Sequence, residues 1–279
     1  GNIMGRGDGR SLDTCSFDAL REICAEVAKV AILAGNTIAE RVDSLSGYDT
    51  KGLHDFVTEV DKASETIIVA HLTRLYPEIG ILSEEGGGRP LENGYNWIID
   101  PLDGTTNFIH GLPPFAVSIG LARGTELLLG VVHEVTQAET FTAVRGGGAF
   151  CNGKPIAATT CSRVEDALVA TGFPYYDYSR LPQFMQTLEY FMQHSHGMRR
   201  LGSAATDLVY VACGRVDAFY EYGLHPWDVA AGLLIAQEAG ALYSDYEGGT
   251  SCLYSGEIIC AAKGVFPEFQ GLIRRFMTH

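Results

Sequence analysis

Between Trp97 and Phe108 the chain reads Trp-Ile-Ile-Asp-Pro-Leu-Asp-Gly-Thr-Thr-Asn-Phe, and this segment constrains the fold more than any other. An apolar run of strand type delivers Asp100 at its C-terminal end. Pro101 then helps to fix a turn that brings Asp103 back nearby. Gly104 tolerates unusual backbone angles, and Thr105 and Thr106 suit the first turn of a short helix, whose unpaired N–H groups can hold an anion. Two carboxylates this close repel each other unless they are protonated, solvated or bridged by a cation. Carboxylates together with a backbone carbonyl such as that of Leu102 are hard oxygen donors, which favour Mg²⁺ over zinc. The anion held beside such an ion is most simply a phosphate. Taken alone, the spacing is also met by an acidic turn with an Asp cap.

The rest of the chain predicts what surrounds this strand. Apolar residues at Leu20, Ile23, Val27, Val30, Ala31 and Ile38 recur at the helical period, so a long amphipathic helix spans Phe17 to Val42. A loop is expected over 46–55, and a second helix starts with Thr58 and Asp61 as its capping pair and stops before Pro77. Short strands at Ile79–Leu82 and Trp97–Ile99 each end in acid, Glu84 and Glu85 after the first and Asp100 after the second. Runs at Ala116–Leu121, Leu127–His133 and Thr140–Val144 form an antiparallel meander. Beyond a strand at Ala167–Thr171, helices and strands alternate to a closing helix at Phe266–Met277, which predicts a layered α/β fold. The glycine cluster at 146–148 and the Asn152-Gly153 turn mark a boundary. It divides an N-terminal part, 14–150, with helices on a mostly antiparallel sheet, from a C-terminal α/β part, 151–279, that completes the site.

Composition narrows the function classes. Twenty Lys and Arg against 34 Asp and Glu leave a net charge of −14, which argues against a groove for a nucleic-acid polymer. No run of 18 apolar residues suggests a membrane span. The opening GNIMGRGDGRSLD has no apolar signal core and reads as a flexible leader. Seven cysteines without a C-x-x-C fit buried or incidental thiols in a reducing cytoplasm. His225 reads as a local hydrogen-bonding group. Phe173 with Tyr175, Tyr176 and Tyr178 reads as a packed loop or subunit contact.

Further acids reinforce the central pair: Asp55 and Asp61 in Asp-Phe-Val-Thr-Glu-Val-Asp, Glu84 with Glu85, and Asp228 in His-Pro-Trp-Asp. In this order, with Trp97–Phe108, they resemble the inositol monophosphatase family of the Mg²⁺-dependent, lithium-sensitive phosphatase superfamily, over roughly residues 17–277. The resemblance implies alternating α-β-α-β-α layers and a homodimer. It implies that Glu84, Asp100 and the Leu102 carbonyl hold a first Mg²⁺, and Asp100, Asp103 and Asp228 a second, with a weaker third ion at Glu84. Thr105 then holds the attacking water and Asp55 orients Thr105. The Gly104 and Thr105 amides receive phosphate, and Asp103, Glu221 and the Ala204 backbone meet the hydroxyls of a small phosphorylated polyol. Inositol monophosphate is the first substrate class. Histidinol phosphate and 3′-nucleotide or sugar-bisphosphate substrates stay open, as does an inactive metal-binding regulatory or structural protein. A paired-acid glycosidase leaves Gly104-Thr105-Thr106 unexplained.

Overall fold

The computed structural model describes residues 16–45, 47, 49–84, 86, 90–92 and 94–278. The expected leader, Cys15 and Glu85 lie outside the described residues.

Two long helices open the fold. Helix α1 (Phe17–Arg41) is capped by the Ser16 hydroxyl, which accepts from Ala19 N at 3.1 Å. Helix α2 (Thr50–Leu75) starts eight residues before Thr58, the expected start, because Asp49 accepts from Gly52 N at 2.7 Å and caps it there. The apolar stripe also begins earlier: Leu53 packs on the same core as Phe56, Val57 and Val60. Thr58 is therefore interior, its hydroxyl bonded back to His54 O at 3.0 Å. Asp55 and Asp61 both lie on this helix rather than across a loop-to-helix junction.

The first sheet runs in chain order through β1 (Gly80–Ser83), β2 (Tyr95–Asp103), β3 (Ala116–Arg123), β4 (Glu126–Glu134), β5 (Glu139–Val144), β6 (Ala149–Cys151) and β7 (Lys154–Ile156). Strand β1 is parallel to β2, and every later neighbour is antiparallel, the expected meander. A short helix, α3 (Thr105–Ile109), follows β2 directly. The sheet continues to Ile156, past the 150/151 division suggested by the glycine cluster. Gly146 and Gly148 make the tight β5–β6 connection at positive φ, and Asn152-Gly153 turns the chain into one more hairpin strand.

The second sheet comprises β8 (Leu168–Thr171), β9 (Gly197–Arg199), β10 (Ala218–Tyr222), β11 (Ala241–Ser244) and β12 (Glu257–Ala262), in the order β11-β12-β10-β8-β9. Its helices are α4 (Leu181–His194), α5 (Ala204–Ala212), α6 (Pro226–Glu238), the single turn α7 (Cys252–Ser255) and α8 (Phe266–Met277). Three apolar cores define the layers. One joins α1 and α2 to the first sheet, one places α5 and α6 between the sheets, and one packs α4 and α8 on the outer face of the second. The result is the expected α-β-α-β-α stack. Helix α6 carries apolar residues on every side because both its faces are covered. No helix among the described residues is long and apolar enough to cross a membrane.

Candidate active site

The parallel register of β1 on β2 pairs Ser83 with Ile99. The next residue in each chain segment is an acid: Glu84 follows the end of β1, and Asp100 stands beside it in register on β2. The field of Glu84 reaches Asp100. Asp103 joins them by a device the sequence did not reveal. In an unbroken strand, residues three apart face opposite sides. Here Asp100 pairs with Ser118 but Asp103 with Ala116, so β2 holds one residue more than its partner over this interval. That β-bulge, and not a turn, puts both carboxylates on one face. Pro101 sits in the bulge, where no ladder N–H is required of it.

Gly104 ends the strand at φ +92°, and a Cβ there would lie 2.9 Å from Pro114 O. Only glycine suits both demands. Helix α3 starts at Thr105, whose hydroxyl donates to Leu102 O at 3.3 Å, while Leu102 N donates to Asp100 Oδ1 at 3.2 Å.

From the other half of the chain, Asp228 enters on the first turn of α6. Its Oδ2 accepts from His225 N at 2.8 Å, and the helix dipole favours a negative charge there. The His225 ring stacks on Trp227 with centroids 4.8 Å apart, which agrees with a local role. Asp100, Asp103 and Asp228 each offer an oxygen within 4.8 Å of the others. All three carboxyls titrate above the usual carboxylate range, burial being the first cause for each. Neighbouring acids push Asp100 and Asp103 further up, whereas the His225 amide draws Asp228 back. Asp103 is fastened by the Ser203 hydroxyl and by Ala205 N at 3.3 Å, on the first turn of α5. A buried cluster of acids that repel one another, with every donor an oxygen, fits a hard divalent cation.

Glu221, on β10, lies against Gly172, where a Cβ would collide with its carboxylate. Its pKa is pushed up to about 8 by burial and then by Asp228, with Arg200 opposing. Ala204 opens α5 beside Ser203, so its backbone stands one residue from the groups that hold Asp103. Among the described residues no hydrogen bond joins Asp55 to Thr105. Asp55 is exposed in the early turns of α2, and the Thr105 hydroxyl donates to Leu102 O.

Several side chains around the acid cluster escaped the sequence reading. Ser203 caps α5 through Thr206 N, and its hydroxyl also donates to Asp103. Asn107 donates to Pro114 O and to Leu201 O, each at 2.8 Å, and so ties α3 to the chain that enters α5. Asp207 is buried on α5 with Oδ1 lacking a hydrogen-bond partner. Its carboxyl is raised by burial and then by Glu221 and Asp103. The available signal was a lone acid inside the apolar run Ala-Ala-Thr-Asp-Leu-Val-Tyr-Val-Ala.

A model of the inositol monophosphatase family matches residues 19–275. The chain belongs to the inositol monophosphatase family. It is therefore a phosphoric monoester hydrolase of a metal-dependent family, and Asp100, Asp103 and Asp228 form a group able to hold a metal. Among its relatives, the Nus factor SuhB of Pseudomonas aeruginosa is 46% identical over 245 residues, 86% of this chain and 89% of that protein. The inositol-1-monophosphatase of Mesorhizobium japonicum is 40% identical over 236 residues, 84% and 89% of the two chains. The solved inositol monophosphatase of Anabaena superposes with a TM-score of 0.80 at 32% identity, covering 93% of this chain and 96% of its own.

Proposed function

We propose that this family member hydrolyses a small phosphorylated polyol, with myo-inositol monophosphate the best-fitting substrate, by in-line attack of water at phosphorus. The observation that carries the reading is the meeting of the three-acid cluster with Glu221, a raised carboxyl on β10 that lies in the field of Asp228. The first group suits a phosphate-bound cation and the second suits hydroxyls on the alcohol side.

In this reading Glu84, Asp100, the Leu102 carbonyl, Asp103 and Asp228 hold Mg²⁺, two or three ions per site. Bound there, Mg²⁺ offsets the charge of the phosphate and of the departing alkoxide. The amides of Gly104 and Thr105 receive phosphate oxygens. The Thr105 hydroxyl and the Glu84 carboxylate orient the attacking water. No side chain serves as nucleophile, so the configuration at phosphorus inverts. Asp103, Glu221 and the Ala204 backbone meet the hydroxyls of the polyol. The reading extends to a cytoplasmic homodimer sensitive to lithium.

Steady-state kinetics of two variants test it, with inositol monophosphate and with a small artificial phosphomonoester. Asp228→Ala removes a group needed mainly in the transition state and is expected to cut kcat severely with both substrates. Glu221→Ala is expected to raise KM for the polyol alone, costing on the order of 1 to 3 kcal/mol in kcat/KM. If Glu221→Ala leaves every polyol phosphate unaffected, the polyol assignment is wrong and a histidinol or nucleotide phosphate takes its place. A second reading, that the chain also acts as a Nus factor, is favoured by the 46% identity to a relative of that name. An Asp100→Asn variant without phosphatase activity that kept the second role would separate the two.

A further inference from the structure

Two adjacent residues of α2 reach the two strand ends that carry the acids. The Ser64 hydroxyl donates to Pro101 O at 2.8 Å, and Glu65 Oε1 accepts from the Ser83 hydroxyl. Ser64, Glu65 and Ser83 are all buried. Neighbours on a helix point about 100° apart, so one turn of α2 faces β2 with one side chain and β1 with the next. Pro101 lies in the bulge between Asp100 and Asp103, where the ladder is broken and a buried carbonyl needs another donor. Ser83 immediately precedes Glu84. A carboxylate as buried as Glu65 is costly unless it is hydrogen-bonded, and Ser83 supplies that bond.

We propose that Ser64 and Glu65 are positioning residues, which fix the β2 bulge and the end of β1 so that Glu84 and Asp100 present their carboxylates to one divalent cation. The inference rests on the reading that these acids hold the ion. Neither Ser64 nor Glu65 touches the ion or the substrate. They set its affinity by holding the backbone on either side of its ligands, as outer-shell groups do at metal sites generally.

Mn²⁺ binding followed by the paramagnetic resonance signal of the free ion tests the proposal without recourse to turnover. Ser64→Ala and Ser83→Ala are each expected to weaken Mn²⁺ binding about tenfold, the lower end of the outer-shell range, while KM for substrate at saturating Mn²⁺ stays the same. Glu65→Ala is expected to match Ser83→Ala. Glu65→Gln keeps an acceptor oxygen for Ser83 and is expected to bind like the unaltered chain. Thermal unfolding identifies any variant that is merely destabilised. Lower stability with unchanged Mn²⁺ affinity in the two serine variants would overturn the proposal, and so would equal loss in Glu65→Gln and Glu65→Ala. Asp100→Asn separates this failure from failure of the underlying reading. If Asp100→Asn binds Mn²⁺ as well as the unaltered chain, the acids do not hold the ion at all.

Discussion

Glu221 combines a raised pKa with a place outside the metal cluster, which makes it a probe of how the site is held. An acid that titrates at about 8 in the folded chain and at 4.5 unfolded binds more protons folded than unfolded between those values. Its contribution to stability is therefore intact below about pH 4.5 and is lost as pH rises towards 8. In metal-free buffer, Glu221→Gln is expected to gain stability over the unaltered chain between pH 5 and 8.5, by about 2 kcal/mol, less than full linkage because water reaches the carboxylate. Calorimetric unfolding at several pH values checks it; a constant difference would sink the idea. At this scale much of the site was legible. Asp100, Asp103 and Asp228 announce themselves by sitting at the ends of apolar runs or the start of a helix. Glu65 and Asp207 did not, because an acid in a helix reads as a solvent-facing residue until its tertiary surroundings are known. Asp55 was expected at a loop-to-helix junction and lies within α2, because Asp49 caps the helix eight residues before Thr58 would begin it.

Among the elements, α6 is the most constrained. It begins at the acid cluster and then runs between the sheets over two strands that have lost their side chains beneath it. A Cβ at Gly120 would stand 3.2 Å from Ala230 Cβ, and one at Gly130 would stand 2.7 Å from Ala231 O. Gly130→Ala must push the helix off its strand, since the obstacle is backbone, and is expected to cost on the order of 1 to 3 kcal/mol. Gly271→Ala, on α8 with nothing within 4 Å of the new methyl, serves as the matched control and is expected to be neutral or slightly stabilising. Equal melting temperatures for the two variants would contradict this packing account. The helical period foretold α1 closely, whereas the expected cap placed the start of α2 too late. The β2 bulge was illegible because it is a mismatch with a partner strand, and a single strand carries no record of its partner's count.

For the whole molecule, the alternation of helix and strand conveyed the layers, but not the way they interlock. The sequence suggested a break after residue 150, whereas the first sheet claims residues to 156 and the helices that cover its inner face come from beyond 200. Each half lacks what the other supplies: Ile98, Val132 and Phe141 meet Leu208, Leu233 and Ile235 in one core. The irregular stretch 157–163 joins the halves, and much of it is exposed. A protease that cuts there is expected to leave two fragments that elute together in gel filtration and separate only in detergent. Because one fragment carries Asp100 and Asp103 and the other Asp228, the nicked protein is expected to keep its hydrolase activity, and the two pieces made apart should regain it only when mixed. The connecting peptide is thus a tether whose work ends once the halves have met.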